Sequence, residues 1–120
     1  MKIEFNNKEP IFRQLAKSIK RAVLAVELLE GDPIPSVRKM SSDYEINPQT
    51  ILKATQILIN EDILEKRRGR GMFVKNGALD ILMKREFEHL TKREIPLLIE
   101  RAKMLDLERQ ELLEIIKKEF

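Results

Sequence analysis

Apolar residues recur at Ile11, Leu15, Ile19, Ala22, Val23 and Val26. Steps of three and four put them on one face of a helix, and the spacing predicts one from Pro10 to about Leu28. Proline opens it at no cost, because a first-turn N–H has no partner inside the helix. The run EGDPIPS, with Gly31, Pro33 and Pro35 close together, breaks the pattern. Ser36 then caps a short second helix over 36–44, with Val37 and Met40 facing inward. Asn47 followed by Pro48 is a second start signal, and a third helix runs to about Asn60. Its apolar face carries Ile51, Ala54 and Leu58, with Ile57 beside them, and leaves Gln49, Thr50 and Lys53 nearer the outside.

Beyond it, ILEKR and GMFVK form two short strands joined by RGRG. Three helices closed by a β-hairpin make a winged helix, whose wing carries Lys66, Arg67, Arg68 and Arg70. From Ala78 the helical period returns. Leu79, Leu82, Met83, Phe87 and Leu90 share one stripe, continued by Leu97, Leu98, Arg101, Ala102 and Leu105. Pro96 must kink or restart the helix, Asp106 marks a turn, and LERQELLEIIKKEF makes a last helix. The expected class is mainly α with a small hairpin, divided into a winged helix-turn-helix domain over 1–77 and a helical tail over 78–120. A tail of about 43 residues is too short to bury a core by itself. Its leucines and methionines call for a partner surface, and an identical subunit is the commonest partner.

Composition narrows the function. Apolar residues make up 42% of the chain and charged ones 36%, which describes a folded, soluble protein rather than a disordered one. With no cysteine and a single histidine, His89, there is no thiolate, no disulfide and no basis for a metal site. The glycines of the hairpin lack the spacing and the following Lys-Ser/Thr of a phosphate-binding loop. Neither catalysis nor a cofactor is expected. No apolar run approaches membrane-spanning length and the first residues lack a signal-peptide core, so a cytoplasmic, nucleoid-associated protein without membrane contact is expected. Residues 1–77 hold 14 lysines and arginines against 10 acidic residues, while 78–120 hold 9 against 10. The basic front suits a polyanion.

These segments together resemble a known family. PIFRQLAKSIKRAV, the G-D-x-I-P-S-V-R run at 31–38, INPQTILKA at 46–54 and RRGRGMFV at 67–74 are similar, in order and spacing, to the winged helix-turn-helix domain of GntR-type bacterial transcription regulators. The N-P-x-T opening of the third helix and the short tail look most like the YtrA-type branch, which carries a small dimerisation appendage and often controls transporter operons. The resemblance implies that Ser36 caps the second helix and that Arg38 approaches the DNA backbone or a base edge. Asn47, Gln49, Thr50 and Lys53 would face the major groove, and Arg67, Arg68, Gly69 and Arg70 the minor groove or its phosphates. Two positions depart from the pattern. Asp62 stands where the family commonly has a glycine after the third helix, and aspartate tolerates a left-handed turn better than most residues. Leu52 stands where several relatives carry a basic residue; if it reaches DNA, it meets a thymine methyl.

The chemistry is coherent without the family. Gln49 can pair with adenine, Lys53 can reach guanine or phosphate, and Thr50 suits a phosphate. Asn47 is either a cap only or a cap that also reads. Basic residues on a turn describe a solvated surface when alone, but a groove contact when they follow a capped recognition helix. The expectation is a homodimeric repressor that binds an inverted repeat in double-stranded DNA through Leu79, Leu82, Met83, Phe87, Leu90, Leu97, Leu98 and Leu105 at the dimer interface. An unknown small-molecule effector could act at that seam. The alternatives are a winged-helix interaction scaffold and a non-specific architectural DNA binder.

Overall fold

The computed structural model describes residues 3–120. Three helices come first: α1 (Ile11–Leu24), α2 (Val37–Tyr44) and α3 (Pro48–Asn60). A hairpin of β1 (Leu64–Arg67) and β2 (Gly71–Val74) follows. Then come α4 (Ala78–His89), a π-helical turn over Leu90–Glu94, α5 (Ile95–Met104) and α6 (Arg109–Glu119). The chain forms two compact units, Met1–Met83 and Lys84–Phe120, so the boundary falls within α4.

The first unit is built around the stripe of α1. Leu15, Ile19 and Val23 meet Ile51 and Leu58 of α3, with Met40 from α2 and Ile63, Leu64 and Val74 from the hairpin closing the core. Each such side chain, fully buried, contributes about 1.5–3 kcal/mol relative to exposure. In the hairpin Leu64 stands opposite Val74 and Arg67 opposite Gly71, antiparallel. The proline-rich segment before α2 is not an idle loop. Gly31 N–H donates to the Val74 carbonyl at 2.8 Å, Val74 N–H to the Asp32 carbonyl at 2.9 Å and Ile34 N–H to the Met72 carbonyl at 3.0 Å. One bridge, between Pro33 and Phe73, thereby lays this segment along the free edge of β2.

The first helix is shorter than its periodicity predicts. It stops at Leu24, and Val26, the last member of the expected stripe, is exposed with φ at 60°. The N–H groups of Glu27 and Leu28 both donate to the Ala22 carbonyl, a reversal that brings Leu28 back onto the core. Burial of Leu28 outweighs continuation of the helix. Near its start, Gln14 is only 7% exposed. Its amide donates to the carbonyls of Asn6 and Glu9 at 2.8 and 2.7 Å and accepts from Asn6 N–H at 2.9 Å, pinning the segment ahead of the helix.

Asp62 occupies the left-handed turn after α3 at φ 63° and also accepts from the Lys75 ammonium at 2.9 Å. That hydrogen bond and the carboxylate charge hold Lys75 above the usual lysine pKa. Asp106 likewise takes the left-handed turn between α5 and α6, at φ 55°. The sequence gave no warning of Glu45, which ends α2 at φ 54°.

The tail holds two corrections. Leu82, expected at a dimer interface, is 2% exposed and belongs to the core of the first unit, against which Leu79 is also partly buried. The first turns of α4 fill that core, so their apolar stripe is already satisfied. Pro96 is preceded by a π turn in which Ile95 N–H donates to the Leu90 carbonyl, and α5 restarts with the proline in its first turn, where no donor is required. Within the second unit, α5 and α6 flank a groove of about 410 Å³ lined by Leu98, Ala102, Leu112 and Ile116 among others. α6 opens on a capping box in which Glu108 and Glu111 satisfy each other's backbone donors. Met83, Phe87, Leu90, Leu97, Leu98, Met104 and Leu105 are all exposed, the last two most of all.

Candidate nucleic-acid interface

Two helix starts are fixed by side chains that accept from backbone amides. Ser36 Oγ accepts from Lys39 N–H at 3.0 Å, and Asn47 Oδ1 accepts from Gln49 N–H at 2.8 Å. The carbonyl oxygen of Asn47 is therefore engaged as a cap, and Gln49 is the first side chain of α3 free to face outward. Ile51, Ala54, Thr55 and Leu58 are buried, so the helical period turns Gln49, Lys53, Gln56 and Asn60 to the opposite face, all four exposed. Gln56 was missed by the sequence reading, although its position seven residues after Gln49 is the signal that finds it. Its Nε2 donates to Asn60 Oδ1 at 2.9 Å, leaving its carbonyl oxygen as an acceptor. Thr50 is half-buried beside this face.

Lys53 is less free than its position suggests. Its ammonium lies 4.0 Å from the centroid of the Phe12 ring, and the Arg13 guanidinium lies 5.8 Å from the same ring. A cation over an aromatic face is attracted by about 0.5–1 kcal/mol at an exposed site. Phe12 belongs to α1, and no local pattern links it to a lysine 41 residues later. Arg38 is exposed in the first turn of α2, where the helix dipole disfavours a cation and no acidic residue offsets it. It has no side-chain partner among the described residues.

The hairpin separates its cations into two groups. Arg67 donates from Nε and Nη2 to Glu65 Oε1 at 3.1 and 3.0 Å, while its guanidinium carbon sits 4.1 Å from the centroid of Phe73. Lys66, Arg68 and Arg70 are exposed and have no ion-pair partner among the described residues. At the tip, Arg70 N–H donates to the Arg67 carbonyl at 2.9 Å, closing a turn whose third residue is Gly69 at φ 72°. A Cβ there would meet nothing within 4 Å, so conformation rather than space requires the glycine.

Helix and hairpin share one concavity. A groove of about 740 Å³ runs between them, with Gln49, Lys53 and Gln56 on one side and Lys66 and Arg70 on the other. No acidic side chain lines it. Among the described residues there is no cluster of three metal-ligating side chains, and no helix is long and apolar enough to cross a membrane.

Residues 12–74, from α1 through β2, match the bacterial regulatory proteins of the gntR family. The chain belongs to the GntR family. That family consists of regulatory proteins, not enzymes. The chain is 37% identical over 75 residues to the HTH-type transcriptional regulator YhcF of Bacillus subtilis strain 168, covering 62% of each chain. It is 32% identical over 84 residues to the transcriptional repressor YtrA of the same organism, covering 70% of this chain and 65% of that one. It thus spans somewhat less than two thirds of the length of either relative. The fold extends further: a transcriptional regulator from Oenococcus oeni superposes over 97% of this chain and 95% of its own, with a TM-score of 0.83 at 22% identity.

Proposed function

We propose that this GntR-family chain is a sequence-specific regulator of transcription that binds double-stranded DNA as a homodimer and represses by covering a promoter. The observation that carries the reading is the shared groove, where the capped start of α3 and the cationic hairpin border one concavity free of carboxylates. An α-helix of this kind fits the major groove, where Gln49 and Gln56 match adenine and Lys53 matches guanine or phosphate. Thr50 and Arg38 reach phosphates. Arg68 and Arg70 extend to the adjacent minor groove, with Gly69 allowing the close approach. Arg67, held by Glu65 and Phe73, acts as a support for the hairpin more than as a contact.

Residues 1–77 supply this surface, and the exposed apolar side chains of 78–120 supply the contact between subunits. Two-fold symmetry then presents two α3 helices to half-sites about one helical turn apart, which makes the operator an inverted repeat. The repressor assignment is supported by the YtrA relative, itself a transcriptional repressor. Selection of bound duplexes from a random pool, with affinities measured at two salt concentrations, tests the reading. An enriched inverted repeat whose binding weakens at higher salt is expected. Salt-dependent binding without a shared sequence would instead make the protein an architectural binder, and no binding at either salt would leave the charges as surface.

A further inference from the structure

Leu52 breaks the pattern of α3. Every other fully outward position on that helix is polar, but Leu52 is 45% exposed, between Gln49 and Gln56 on the side that faces the hairpin. It is the sole exposed large hydrophobic of α3. Nor is it isolated, since Val37, Ile59 and Met72 continue an apolar floor from it across the groove. The rim of that floor holds Lys53, Lys66 and Arg70, a charge pattern that fits a polyanion and not an apolar peptide. Leu52 also lies one helical turn past the Asn47 cap, at the end of α3 that the proposed docking brings closest to base edges.

In the major groove the one apolar group a base pair presents is the 5-methyl of thymine. We propose that Leu52 is a specificity-determining residue that seats a thymine methyl, so that the preferred duplex holds thymine at one fixed position in each half-site. The inference rests on the DNA-binding reading above and adds to it a base identity that hydrogen bonding alone does not provide. Gln56, one turn further on, is placed to read an adjacent base through its free acceptor.

Deoxyuridine differs from thymidine only by that methyl, which makes the test direct. Each thymine of the selected duplex is replaced in turn by uracil, and binding is measured for the wild-type protein and for Leu52→Ala. One position should lose about fourfold in affinity per methyl removed from the wild type, and the same replacement should cost Leu52→Ala nothing. Equal binding of thymine and uracil duplexes by the wild type at every position would overturn the inference while leaving the regulator intact. So would unchanged thymine preference in Leu52→Ala. If no duplex is enriched over random DNA in the first place, it is the underlying reading that fails, and this inference with it.

Discussion

Arg67 and Arg70 lie three residues apart on one hairpin, yet their surroundings divide their roles. The first is paired with Glu65 and stacked on Phe73; the second is exposed and lines the groove beside α3. On the proposed reading Arg70→Ala should lower the slope of log affinity against log salt by about one, the signature of one lost phosphate contact. Arg67→Ala should change that slope by less and the stability of the hairpin by more. Titration of binding between low and moderate salt, beside thermal melting, separates the two. Gln49 belongs to the same scale. With the Asn47 oxygen committed to the Gln49 backbone, the Gln49 side chain is the first available reader, and Gln49→Ala should weaken binding to the selected duplex by about 1–3 kcal/mol while leaving random-DNA binding nearly unchanged. Competition between the two duplexes measures the difference.

At the scale of elements, the end of α1 shows what holds the winged unit together. Val26 is a β-branched residue in a left-handed conformation, a cost of about 1–2 kcal/mol that the turn accepts in order to bury Leu28. Val26→Gly should therefore stabilise the fold by about 1 kcal/mol, since the exposed side chain gives up little packing. Chemical denaturation of the two proteins would show it. This is also where sequence patterning stops being informative. Caps at Ser36 and Asn47 and the stripe of α1 are local, and they were legible because each depends on neighbours within one or two turns. The turn at Val26, the strand-like course of residues 31–34, the cation held by Phe12 and the burial of Leu82 all depend on contacts distant in the chain. The functional face of α3 was half legible for the same reason. Its start is announced by Asn47 and Pro48, but the release of Gln56 and the restraint on Lys53 are consequences of packing.

At the scale of the whole molecule, the expected pairing rests on the second unit, whose exposed apolar side chains have no use in an isolated chain. Leu98→Glu should convert a dimer to a monomer in sedimentation equilibrium, and on the proposed reading it should reduce binding to an inverted repeat much more than to a single half-site. DNA binding undiminished by that charge would move the subunit contact elsewhere. The π turn at Leu90–Glu94 bears on the same unit in another way. It accommodates one residue more than an α-helical turn does, so it is the place in the tail where gain or loss of a single amino acid is absorbed without breaking the helix. Removing one residue there would restore an ordinary turn and rotate all that follows by about 100°, the angle one residue subtends on a helix. A family that varied its length at this point would change which side chains its subunits show one another without altering a single residue that faces DNA.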